Sequence, residues 1–242
     1  MKLIKNLIIP ALLLIAPLAH GQFLKNLKDK VTSTTTSLGF SEEEAGNAIK
    51  EALQKGIVKG VGEVAQLDGY FGNPLVKIPF PEEAKFVESQ LRSVGMGKLA
   101  DDAILSLNRA AEDAAGEAKD IFIVAIKGLT FKDAVEIVRG EDNAATAYLQ
   151  NTTSDNLKAK FQPIIAQSIE KVDATKYWDN VMNEYNKIPF MKKINPNLEE
   201  YVTEKAIEGL FVMVAQEEEK IREDPMARTS DILKKVFGNG GK

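Results

Sequence analysis

Residues Ala206–Ala215 read AIEGLFVMVA, apolar on every helical face except at Glu208. They form the middle of Asn197–Arg222, NLEEYVTEKAIEGLFVMVAQEEEKIR. A helix without a polar face has to be surrounded by protein or by lipid. An apolar stretch of this length rises only about 15 Å, half the thickness of a bilayer's hydrocarbon core. The stretch therefore predicts the central helix, about residues 197–223, of a helical domain rather than a membrane span.

The rest of the chain reads as further helices laid around that axis. Ser41 followed by Glu44 is a capping-box pattern and opens a helix running to about Gln66. Gly56, Gly60 and Gly62 interrupt it, although each glycine costs roughly 1 kcal/mol against alanine in a helix. Gly56 and Gly60 share one face, which points to the close approach of another helix. Residues 67–80, LDGYFGNPLVKIPF, carry too many turn formers for a helix. Alternation at Val76, Ile78 and Phe80 predicts an irregular extended segment with these side chains turned inward. Helices are then expected from Pro81 to Val94, Lys98 to Ala115, Glu117 to Lys127, and from Thr130, a cap, to Arg139. A short helix over Glu141–Gln150 and a long one from Asp155, capped by Ser154, follow, with Pro163 kinking or restarting the latter. Asp173 caps a segment holding Trp178, Pro189 and Pro196 bracket a loop, and Thr229 caps a last helix before the flexible tail 239–242.

The first residues, MKLIKNLIIPALLLIAPLAHGQ, read as a secretory leader. Lys2 and Lys5 start it, an apolar run follows, and Ala19-His20-Gly21 offers small residues for cleavage before Gln22. The expected organisation is a leader at 1–21, an amphipathic segment and polar linker at 22–40, and a helical domain at 41–238. No cysteine follows the cleavage site, so a lipoprotein anchor is not expected. The protein is expected to be exported, periplasmic or otherwise associated with the cell envelope. Within 23–31, Phe23, Leu24, Leu27 and Val31 share a face while Lys25, Lys28 and Lys30 lie elsewhere. That pattern docks on its own domain or, as a weaker alternative, touches a membrane surface.

The chain has one histidine, His20, and no cysteine, so cleavage of the leader leaves neither. Histidine- and cysteine-based triads, zinc sites through those residues, haem on histidine and cysteine-held iron–sulfur clusters are then excluded. The net charge of −4 argues against general nucleic-acid binding, which runs on lysine and arginine. Gly95-Met96-Gly97-Lys98 resembles the end of a phosphate-binding loop but lacks its first glycine and the hydroxyl residue after lysine. No catalytic residue, cofactor or metal is expected.

Four stretches together carry a family resemblance: Gly69–Pro81 (GYFGNPLVKIPFP), Leu107–Ala114 (LNRAAEDA), Thr130–Gln150 and Tyr201–Gly238. On these the chain resembles the domain of unknown function 4197 family of exported bacterial proteins. The resemblance implies a helical, exported protein and no established activity.

Among the side chains, Glu208 stands out because its apolar neighbours predict burial. A buried carboxylate needs a partner, and Arg109 of NRAAE is the expected one. Asn108, Arg109, Glu112 and Glu208 thus form a candidate polar cluster, structural or functional, although Arg109 and Asp113 are also one turn apart. Glu218 and Arg222 have the favourable i,i+4 order, and Arg228, beyond Pro225, is placed to tie the last helix back to the core. These three are candidate anchoring residues. The expected function is a non-catalytic binding or scaffold protein of the envelope, with an apolar ligand or an envelope protein as partner. The alternatives are a carboxylate-based hydrolase of envelope glycans, using acids such as Glu112, Asp113, Glu208 or Glu218, and a peripheral membrane protein using residues 23–31.

Overall fold

Alternating caps and apolar stripes produce an all-α architecture. The computed structural model describes residues 39–170 and 197–238, which fall within one compact unit. Outside them lie the expected leader, amphipathic segment and linker up to residue 38, the segment around Trp178, the expected loop at 188–195 and the expected tail at 239–242. The helices are α1 (Glu42–Val64), α2 (Lys85–Ser93), α3 (Gly97–Ala115), α4 (Ala118–Gly128), α5 (Phe131–Arg139), α6 (Ala144–Glu170), α7 (Leu198–Glu223) and α8 (Asp231–Gly238). There is no strand among the described residues, and no described helix is long and apolar enough to cross a membrane.

The central helix is α7, started by the Asn197 side chain accepting from the Glu200 N–H. It packs on α1, α3, α6 and α8. Phe211 meets Phe122 of α4 edge to face at 5.7 Å, the geometry favoured by aromatic quadrupoles. Gly56 and Gly60 of α1 face α7. A Cβ on Gly56 would lie 3.3 Å from the Glu217 Cβ, and one on Gly60 3.4 Å from the Met213 backbone. Their absence of side chains sets the distance between α1 and α7. Gly62 faces open space and has no such role.

Local caps hold where local chemistry decides. Ser41–Glu44 and Thr130–Asp133 both close full capping boxes, at the starts of α1 and α5. The expected break between Gln150 and Asp155 does not occur, and α6 is one helix. Thr152, Thr153 and Ser154 donate their hydroxyls back to the carbonyls of Tyr148, Leu149 and Gln150 instead of capping a new start. Pro163 lies inside this helix. Burial at Leu149, Thr153, Leu157, Phe161, Ile165 and Ile169 follows steps of four. Such a stripe turns by about 40° per step, and α6 packs on α3, α4 and α7. That packing offsets the N–H that proline lacks. At the last helix the capping hydroxyl is that of Ser230, accepting from the Leu233 N–H at 3.4 Å. Thr229 instead accepts from the Lys55 ammonium at 2.7 Å.

Between α1 and α2 the chain forms a strap. Turns over residues 66–76 lead into extended backbone through Pro81 and a 3₁₀ turn, Glu82–Ala84. Tyr70, Val76, Ile78 and Phe80 are buried, and Leu75 is exposed. A Cβ on Gly69 would lie 2.5 Å from the carbonyl oxygens of Glu63 and Val64. Only glycine lets the strap turn so tightly off the end of α1.

Candidate functional site

The NRAAE motif of α3 holds the strap. Asn108 is fully buried, and its amide pairs with Ile78 twice: the carbonyl accepts from the Ile78 N–H and the amino group donates to the Ile78 carbonyl, both at 2.8 Å. One side chain thus satisfies the strap as a neighbouring strand would. One turn on, Oε1 of buried Glu112 accepts from the Tyr70 and Phe71 N–H groups at 3.0 and 3.1 Å. Its Oε2 accepts from Arg109, whose other amino group reaches Asp68 at 2.8 Å. Asp68 has φ +65°, an uncommon conformation that asparagine and aspartate tolerate better than most residues. Tyr70 passes under the strap and donates its hydroxyl to the Ala206 carbonyl of α7 at 2.6 Å. Its ring lies against Gly209, where a Cβ would come within 2.8 Å. Burial, with Glu112 as a second cause, raises the pKa of this phenol far above its ordinary value.

Glu208 corrects the expected cluster. Its side chain is 61% exposed and bonds to Lys205 at 2.6 Å, while Arg109 is engaged with Glu112 and Asp68. The reason is positional. Glu204, Glu208 and Val212 form an i, i+4, i+8 stripe, and all three are exposed. It is the face of α7 that looks along the strap. The apolar neighbours of Glu208 in sequence point to the other faces. Asp113 does not pair with Arg109 either, and accepts from the Ser168 hydroxyl at 2.9 Å.

Strap and stripe enclose a groove of about 590 Å³. Residues Leu75–Glu82 form one wall, and Tyr201, Glu204, Lys205, Glu208, Gly209 and Val212 the other. Tyr201 donates its hydroxyl across to the Pro79 carbonyl at 3.0 Å. The volume lies within the usual range for ligand sites. The i+4 spacing of Glu204, Glu208 and Val212 marks this face in the sequence. Recognising it as a groove wall also requires the strap, which the sequence does not place.

A second polar centre lies at the other end of α7. Glu218 is buried, and its carboxylate accepts from the Ala145 N–H at 2.9 Å and the Thr146 N–H at 2.8 Å. The Thr146 hydroxyl donates to it at 2.7 Å, and Arg222 makes two further bonds. An acid there meets the positive end of the α6 dipole. Arg222 also donates to the Ile137 carbonyl in α5 at 2.9 Å, and Arg228 donates to the carbonyls of Ile221 and Arg222. Glu217, next in line, accepts from Lys59 and Lys220. Burial works to raise its pKa, but the bonds from Lys220 and Lys59 outweigh burial and leave it below the usual carboxylate value.

A family model described as a protein of unknown function, DUF4197, matches residues 39–238. The chain belongs to this family. No curated protein and no solved structure matches it. The DUF4197 match begins just before the first capping box and ends with α8, so it takes in the strap, its clamp, the groove and the second polar centre.

In this DUF4197 chain, Asn108, Arg109 and Glu112 come together on the strap, and Glu218, Arg222 and Arg228 at the far end of α7. Glu208 joins neither group. The sequence reading missed Tyr70, Asp68 and Tyr201, whose partners are all remote in sequence. No group of three or more histidine, cysteine or acidic side chains that could hold a metal ion is present among the described residues. Glu112 and Glu218 are each held by several hydrogen bonds. Glu204 and Glu208 are exposed and bridged to Lys158 and Lys205.

Proposed function

We propose that this chain is a non-catalytic binding protein, exported to the cell envelope, and that its ligand occupies the groove between the strap and α7. One observation carries the reading: both walls of the groove are pinned before any ligand arrives. Asn108 and Glu112 fix the strap to α3, while Tyr70 and Tyr201 fix it to α7. A preformed site avoids the ordering penalty that loose segments incur on binding. The motif's polar groups are engaged in holding the walls, which favours binding over acid–base chemistry. The leader pattern at residues 1–21 supports export.

Native mass spectrometry of the protein purified from its own envelope tests this. The expected result is a bound species that is lost in Val212→Trp, where the indole fills the groove from an exposed position. No bound species, or one retained unchanged by Val212→Trp, rules the reading out.

A further inference from the structure

Resting on that reading, the groove's hydrogen-bonding character points to what it takes. Over Lys77–Pro79 the strap wall has no N–H left to offer. Pro79 and Pro81 have no N–H, the Lys77 N–H is bonded to the Asn73 carbonyl, and the Ile78 N–H is bonded to Asn108. Both backbone groups of Ile78 are bonded to Asn108 of α3, while the Pro79 carbonyl accepts from Tyr201 of α7 on the groove side.

The opposite wall and the mouth add the carboxylates of Glu204, Glu208 and Glu82, which are bridged to Lys158, Lys205 and Lys85 in turn and leave their outer oxygens to solvent at exposed positions. The two ammonium groups lining the groove are both engaged. Lys77 lies over the Phe71 ring at 4.0 Å, and Lys205 is bonded to Glu208. Exposed Leu75 and Val212 sit at one end. Tyr201 to Val212 spans about 16 Å of helix, the length of about five extended residues.

We propose that the groove receives an extended segment of a partner protein, about five residues long, apolar at one end and carrying arginine or lysine at the other. Its backbone N–H groups face the Pro79 side of the strap, its apolar end covers Leu75 and Val212, and its cations meet Glu204 and Glu208, displacing Lys158 and Lys205.

The test is a titration of the ¹⁵N-labelled full chain, followed by amide shifts, with three probes: acetyl-Leu-Ala-Arg-Ala-Arg-amide, the same peptide with glutamate for arginine, and spermidine. The arginine peptide should shift amides within 75–82 and 201–212. Its affinity should fall about fivefold in the Glu204→Gln/Glu208→Gln double variant, as two exposed charge pairs of up to about 1 kcal/mol each allow. It should fall further with added salt. Both positions are exposed, so this variant keeps its fold. Equal binding of the glutamate peptide overturns the cationic assignment, and spermidine reproducing the whole pattern overturns the peptide. An arginine peptide that shifts no groove amide overturns the proposal. If a species sensitive to Val212→Trp is still found by native mass spectrometry, only this inference falls; if none is found, the groove falls as a site as well.

Discussion

At the residue scale, side chains of one chemical type divide by what surrounds them. Glu112, beside Ala111, and Glu208, beside Gly209, are both helix glutamates, yet one holds two backbone N–H groups and an arginine while the other lies in water. Glu112→Ala is expected to cost about 3 kcal/mol in urea unfolding, because it leaves two N–H groups without their acceptor and takes from Arg109 the buried one of its two carboxylate partners. Glu208→Ala is expected to stay within about 0.5 kcal/mol of the parent. Equal losses for the two would mean that the strap is not held as described. The sequence makes Glu208 conspicuous because its neighbours are apolar, but neighbours in sequence lie on other faces of the helix. The importance of Asn108 and Glu112 lies in backbone groups 30 and about 40 positions away, and nothing local signals it.

At the element scale, the caps of α1 and α5 were legible because Ser41 and Thr130 act within three residues of themselves. The division of α6 was misread because Thr152–Ser154 and Pro163 look like local breaks, and tertiary packing overrides them. Pro163 is exposed. Pro163→Ala is therefore expected to raise stability by about 1 kcal/mol or more, by restoring an N–H and removing a clash in the helix interior. Calorimetry showing no rise would mean that the helix is interrupted at that point. The contact of Tyr70 with Gly209 gives the opposite sign. Gly209→Ala is expected to cost about 1–3 kcal/mol, since a new methyl group meets a fully buried ring. It should also perturb the strap amides more than those of α8.

At the scale of the whole molecule, the all-α class and the central position of α7 were readable from one apolar stretch and a series of capped helices. The strap's route was not, because turns and prolines say where a helix stops and not where the chain goes next. Charge gives the molecule a common acid limit. Glu217, Glu44, Glu51, Asp101 and Asp133 all have pKa values below the ordinary 4.5 of glutamate or 3.8 of aspartate. The causes are lysine bonds for the glutamates (acting against burial at Glu217), Arg92 for Asp101 and the Thr130 N–H for Asp133. A depressed carboxylate contributes stability above its unfolded pKa and loses it as pH falls through the folded value. Stability is therefore expected to hold from neutral pH to about 5 and to fall below about 4.5. Glu217→Gln should lower the neutral plateau and flatten the acid limb, which denaturant titrations at stepped pH will check.

The bond from Tyr201 to Pro79 joins positions 122 apart. The strap wall is synthesised well before the α7 wall, so no chain that stops short of α7 possesses the cavity. Whatever binds there binds the finished fold and no intermediate. At a hundredfold excess over Kd it would add about 2.7 kcal/mol to the native state, making occupancy of the groove a signal that folding is complete.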